Sequence, residues 1–181
     1  GFRARGLNEG DRIAIICQNR AEFFVALFAC QKTGIILCPL NWRQPVPELV
    51  ETLTQVGISL LLTDAAFQAT ACEAAAAIDA PVVTVEEDLA GWVQAGGPAL
   101  TAPVPADRPW YLLFTSGTTG LPKSVIQTAR MAWANAVSIG QAIDLASTDR
   151  AVCFLPLFHT AGINLYTLPV FLTGGSSAIL P

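Results

Sequence analysis

Arg12–Leu40 reads R-I-A-I-I-C-Q-N-R-A-E-F-F-V-A-L-F-A-C-Q-K-T-G-I-I-L-C-P-L. Arg12 to Cys17 is a short apolar run rich in β-branched residues, which predicts a buried strand. Asn19 is placed to cap the helix that follows, with Glu22 in the position that completes a capping box. Phe24, Leu27, Phe28 and Gln31 share one face at helical spacing. Gly34 can take the left-handed conformation that ends a helix. Ile35 to Leu40 then repeats the strand signal. A strand followed by one amphipathic helix and a second apolar strand predicts a parallel pair joined by a crossover.

The alternation continues downstream. A turn through Asn41 and Pro45 leads to Val46, Leu49, Val50 and Leu53, whose i, i+3, i+4, i+7 spacing is helical. Ser59 to Thr63 predicts a third strand. Asp64 is positioned to cap an Ala-rich helix running to about Ile78, and Pro81 to Val85 predicts a fourth strand. The expected class is α/β, with mixed, largely parallel sheets and helices on their faces. Glu86 to Arg108 carries Pro98, Pro103 and Pro105 and paired glycines, and reads as a surface connection. It suggests a soft sub-boundary near residues 86–109, between two sheet regions. Glu86-Glu87-Asp88 within it reads as a solvated turn or helix start rather than a metal site. Trp110 to Phe114 resumes as a strand.

Composition narrows the function classes. Hydrophobic residues make up 52% of the chain and charged residues 13%, which excludes disorder. The net charge is −4, without a basic stripe, so nucleic acid is not an expected partner. Five cysteines at irregular spacing, with no C-x-x-C, read as buried, reduced thiols of a cytoplasmic protein. A single histidine makes a zinc site a poor expectation. Residues 151–181 hold no charged side chain, yet Pro156, Gly162, Asn164, Pro169, Gly174 and Gly175 interrupt them. That stretch reads as strand, loop, helix and strand rather than as a membrane span. The chain begins at Gly1 and stops at Pro181 just after an apolar run, and it reads as part of a longer protein.

The chemistry concentrates in Thr115–Lys123, T-S-G-T-T-G-L-P-K. Gly117 and Gly120 allow tight backbone bends that turn successive N–H groups toward one concavity. The hydroxyls of Thr115, Ser116, Thr118 and Thr119 can donate to phosphate oxygens or ligate Mg²⁺. Lys123 adds a cation. A Walker A loop has Gly directly before its Lys; here Pro122, which has no N–H, precedes Lys123. Val125 and Ile126 favour a strand after the loop, so the loop is expected to link two strands.

With its flanks, Y-L-L-F-T-S-G-T-T-G-L-P-K-S-V resembles the signature of the adenylate-forming (AMP-binding) superfamily, which includes acyl-CoA synthetases, peptide-synthetase adenylation domains and luciferases. G-L-N-E-G-D-R-I-A-I, K-T-G-I-I-L-C-P-L-N-W-R and L-P-L-F-H-T-A-G resemble further family blocks, in the family's order. The resemblance spans residues 1–181 and matches only part of the large N-terminal AMP-binding domain, so the downstream half and the C-terminal lid with its catalytic lysine would lie elsewhere.

The resemblance implies an AMP-forming acid–thiol ligase using a carboxylic acid, ATP, Mg²⁺ and CoA, in fatty acid metabolism. Thr115, Ser116, Gly117, Thr118, Thr119 and Gly120 would wrap the β- and γ-phosphates of ATP, with Thr115 also at the Mg²⁺. Lys123 would support the loop. His159 would stand beside the carboxylate or α-phosphate, with Phe158, Thr160, Ala161, Gly162 and Asn164 near the acyl pocket. Phe158 reads equally as core packing, and Trp42 and Arg43 read as structural. Ser124 and Ala129 stand where the family usually has Gly and often His. The alternatives are an adenylation domain that loads a carrier protein and a non-catalytic nucleotide-binding paralogue. The 181-residue chain alone is expected to be inactive and to expose apolar surface through which it could self-associate.

Overall fold

The computed structural model describes residues 1–95, 103–115 and 123–181. Strands β1 (Arg12–Ile16), β2 (Ile36–Pro39), β3 (Ile58–Thr63), β4 (Val82–Thr84), β5 (Pro109–Thr115) and β6 (Lys123–Thr128) form one six-stranded sheet, ordered β4-β3-β1-β2-β5-β6. Neighbours from β4 to β5 are parallel, and β6 runs antiparallel to β5. β7 (Arg150–Cys153) and β8 (Ser176–Ile179) make a separate parallel pair. The helices are α1 (Ala21–Thr33), α2 (Val46–Val56), α3 (Gln68–Ala76), α4 (Ala90–Ala95), α5 (Ala129–Ile143) and α6 (Thr167–Leu172). This is the mixed, largely parallel α/β class that the strand–helix alternation predicts.

The period-2 alternation of each strand sorts the core onto two faces. Ile13 and Ile15 of β1, Leu37 of β2, Leu60 and Leu62 of β3 and Tyr111 and Leu113 of β5 point toward α1, where Phe23, Phe24, Leu27 and Cys30 are buried. Ala14, Ile16, Cys38, Leu61 and Leu112 point the other way, onto Leu49 and Leu53 of α2 and Ala71, Ala74 and Ala75 of α3. Strands covered on both faces explain the unbroken apolar runs in the sequence. Gly34 ends α1 at φ 81°, as expected, and its N–H donates to Cys30 O at 2.9 Å. Asp64 accepts from Phe67 N at 3.1 Å, capping a short 3-10 turn that leads into α3.

Several expectations change. Asn19 does not cap α1. Arg20 takes the N-cap position in extended conformation without a side-chain cap bond, which starts the helix one residue later. The Asn19 amide instead accepts from Leu157 N at 2.9 Å and donates to Leu155 O at 3.0 Å. Glu22, freed from a capping box, pairs with Arg20 at 2.9 Å. The stretch after β4 holds a π-type turn (Val85–Leu89) and α4, because Val85 and Leu89 reach the core and Asp88 accepts from Thr84 N and Oγ1. The strands on either side of residues 86–109 lie in one sheet, since β5 pairs with β2; the two sheets divide after α5. Helix α5, which the sequence reading did not anticipate, starts where Thr128 caps Met131 N. Cys72 is exposed, whereas Cys30, Cys38 and Cys153 are buried and Cys17 is partly so.

Candidate functional site

The site gathers at the C-terminal ends of the parallel strands, where open α/β sheets offer a crevice free of helix. β2 and β5 are neighbours, with Leu37 opposite Tyr111. β2 leads into the turn at Asn41–Gln44, and β5 ends at Thr115. From across the crevice, the loop after β7 brings in Phe158 and His159. Together Pro39, Asn41, Gln44, Thr52, Phe114, Thr115, Phe158 and His159 enclose a cavity of about 430 Å³. A contiguous lobe of about 170 Å³ adds Leu113, Val125, Gln127 and Thr160. Pockets of several hundred Å³ suit small ligands. No carboxylate lines either space among the described residues.

Thr115 and Lys123 are cross-strand partners at the loop end of the β5–β6 hairpin, and Thr115 Oγ1 donates to Lys123 O at 3.4 Å. The expectation that the hydroxyl-rich loop links two strands is met. Ser116, Gly117, Thr118, Thr119 and Gly120 lie outside the described residues. Thr115 and Lys123 are both exposed. Thr115 supplies one oxygen that fits a Mg²⁺ ion sharing a nucleotide's phosphates, since Mg²⁺ uses few protein ligands in such sites. Among the described residues no cluster of three His, Cys, Asp or Glu side chains forms a metal site in its own right.

His159 is exposed rather than a satisfied core histidine. Its loop is wound tightly. His159 N donates to Pro156 O and Gly162 N to His159 O, each at 3.1 Å. A Cβ at Gly162 would stand 2.2 Å from Pro156 O, so only glycine lets the loop fold back on itself there. Below it, Tyr111 is buried and its hydroxyl donates to Asn164 Oδ1 at 2.7 Å. Burial pushes the Tyr111 phenol up to about 12, against the lowering effect of Asn164, so it stays a neutral donor. Asn164 thus anchors the floor of this region.

Sequence reasoning missed Asn41 and Gln44 as cavity walls. Their signal was position: both follow a parallel strand's C-terminal end. Trp42 and Arg43, read as structural, pack against a cavity residue. Trp42 meets Phe158 edge-on at 6.5 Å, and the Arg43 guanidinium lies 4.6 Å from the Trp42 ring centre and 5.7 Å from that of Phe158. The two departures from the family pattern stand apart from the cavity walls. Ser124 is an exposed residue of edge strand β6, and Ala129 opens α5, packed on the core.

A family model for the AMP-binding enzymes matches residues 1–181. The chain belongs to the AMP-binding enzyme family. It is 37% identical to a feruloyl-CoA synthase of an Amycolatopsis species over 97% of its own length, and covers 35% of that protein. A fatty acid–[acyl-carrier-protein] ligase, ScoC, of Streptomyces coeruleorubidus is 33% identical over 90% of the chain, which covers 32% of it. The fold superposes on ATP-bound MatB from Rhodopseudomonas palustris with a TM-score of 0.86 at 26% identity, over 99% of this chain and 37% of that one. The chain therefore spans about a third of the length of these AMP-binding relatives. Among its described residues no helix is long and apolar enough to cross a membrane.

Proposed function

We propose that the full-length protein activates a carboxylic acid with ATP and passes the acyl group to the thiol of CoA. The observation that carries this reading is the meeting of Thr115 and His159, from distant parts of the chain, on one cavity at the C-terminal ends of β2 and β5. Thr115 opens the hydroxyl-rich loop, and among the described residues the cavity walls present two amides, two hydroxyls and an imidazole without a carboxylate.

A carboxylate is a poor electrophile because its charge is delocalised and its leaving group would be oxide. In the first step a carboxylate oxygen bonds to the α-phosphorus of ATP. The bond from that phosphorus to the bridging oxygen breaks, and pyrophosphate departs with the electron pair. The acyl-adenylate is a mixed anhydride. In the second step the CoA sulfur attacks its carbonyl, AMP leaves, and the thiol proton passes to solvent or a base. Charge grows on phosphate oxygens in the first step, where preorganised donors contribute most. Thr115, Ser116, Gly117, Thr118, Thr119 and Gly120 would supply hydroxyl and backbone donors to the β- and γ-phosphates, and Lys123 would support the loop's charge. Mg²⁺, held by Thr115 and the phosphates, would neutralise the departing pyrophosphate. His159 would hydrogen-bond the acid or the α-phosphate.

The test is carboxylate-dependent exchange of pyrophosphate into ATP by the full-length protein. Acid-dependent exchange is expected, and no exchange across a broad panel of acids refutes the reading. The 181-residue chain alone is expected to give none. A second acceptor is favoured by one observation, the 33% identity to an acyl-carrier-protein ligase. Comparing thioester yield with CoA and with a phosphopantetheinylated carrier protein separates the two.

A further inference from the structure

Asn19 sits just beyond β1 and is buried. It holds a loop that lies more than a hundred residues downstream. Its side-chain NH₂ donates to Leu155 O at 3.0 Å, and its Oδ1 accepts from Leu157 N at 2.9 Å. One amide thus satisfies a backbone acceptor and a backbone donor that burial would otherwise leave at cost. The next residues are Phe158 and His159, both cavity walls. On the far side Trp42 and Arg43 press on the Phe158 ring. The close approach of Gly162 to Pro156 O tightens the same loop from behind.

We infer that Asn19 is a positioning residue: it fixes the backbone at Leu155 and Leu157 and so sets where His159 stands relative to Thr115. The inference rests on the activity proposed above, but its geometry can be read without that activity. An Asn19→Asp substitution keeps the size and the acceptor toward Leu157 N. It loses the donor and sets a carboxylate oxygen against Leu155 O, so the loop must shift. Displacements near 1 Å in a catalytic arrangement can cost about 100-fold in rate.

His159 is the only histidine in the chain, so its imidazole Cε1–H gives one assignable ¹H–¹³C cross-peak. In the 181-residue chain, N19D should move or broaden that peak, whereas Leu61→Val, a core variant on the opposite face of the sheet, should leave it in place. In the full-length protein N19D should lower kcat for acid-dependent exchange about 10- to 100-fold, with KM for ATP changed less than about threefold. Arg43→Ala should move the His159 peak in the same assay, and Arg43→Lys, which keeps a cation over the rings, should restore it. An N19D protein that melts lower yet keeps the wild-type His159 peak overturns the inference. So does unchanged kcat in a protein whose exchange is otherwise demonstrated. If the full-length protein shows no exchange at all, the cross-peak alone decides the positioning role, and the failure falls on the proposed activity.

Discussion

The two halves of the chain are covered to different degrees. From β1 to β4 the strands are packed on both faces, and Ile13, Ala14, Ile16, Leu61 and Leu62 are all but inaccessible. From β6 onward large apolar side chains stand in solvent: Ile126, Met131, Trp133, Val152 and Phe154 are each more than half exposed. The difference lies in partners rather than in composition, because both halves are rich in apolar residues. In the first half α1 takes one sheet face and α2 with α3 the other, whereas among the described residues β6 is an edge strand and β7 pairs only with β8. Exposed apolar patches of this kind mark surfaces suited to contact. The expectation of exposed apolar surface is met.

This contrast can be broken or sharpened by experiment. Thiol labelling offers the widest range. Burial raises the Cys30 thiol well above its ordinary range and pushes Cys38 to about 12. Cys17 also rises to about 12, through burial first and the nearby Asp64 charge second. Cys72 is exposed. At pH 8 a thiol reagent should modify Cys72 about a thousandfold or more faster than Cys30, which reacts only on opening of the core. Comparable rates would mean the first half is not closed.

Substitutions follow in decreasing order. Leu27→Ala, in the doubly covered half, should cost about 3 kcal/mol by chemical denaturation, from lost burial and the cavity left behind. Asp64→Ala should cost about 2 kcal/mol, because it strips acceptors from Phe67 N and Gln18 N at a buried position. The Arg20 pairs contribute less, since the Glu22 and Glu86 side chains are 42% and 38% exposed. The Arg20 hydrogen bond is the chief cause holding Glu22 below its ordinary 4.5. For Glu86 burial acts upward, but the Arg20 and backbone hydrogen bonds outweigh it and the net shift is down. Folded values below unfolded ones stabilise the protein at pH above about 4.5, and that stability fades as the pH falls through the folded values. Arg20→Gln should therefore cost under about 1 kcal/mol at pH 7 and less still at pH 3 or in 1 M salt. Trp133→Ser should change stability by no more than about 0.5 kcal/mol. It should lower binding of a hydrophobic dye by the isolated chain.

Where local chemistry decides conformation, the sequence was legible. The apolar runs of β1 to β3, the left-handed Gly34 and the Asp64 cap were all readable from neighbouring residues. What failed depended on distant partners. Asn19 has the residue type and position of a helix cap, but two buried backbone groups far along the chain hold its amide. Glu86-Glu87-Asp88 is the solvated turn and helix start its charges indicate, with Glu86 and Glu87 exposed; what stayed hidden was the Arg20 partner of Glu86, which is remote in sequence. Helix α5 was missed because Gly140 and scattered apolar residues blur its pattern, and most of its length faces outward. In the site, Thr115, Lys123 and His159 stood out in the sequence by residue type; the structure sets Thr115 and His159 on one cavity, whereas Lys123 is not among its walls. Asn41 and Gln44 became visible only once β2 lay beside β5.

The origin of the oxygen atoms in AMP tests the proposed chemistry most directly. The full-length protein would be given ATP, CoA and its best acid labelled with ¹⁸O in both carboxylate oxygens, and the AMP and thioester analysed by mass spectrometry. Acyl-adenylate formation predicts one labelled oxygen in the phosphate of AMP and one retained in the thioester. Label appearing in inorganic phosphate or pyrophosphate, with unlabelled AMP, would contradict it.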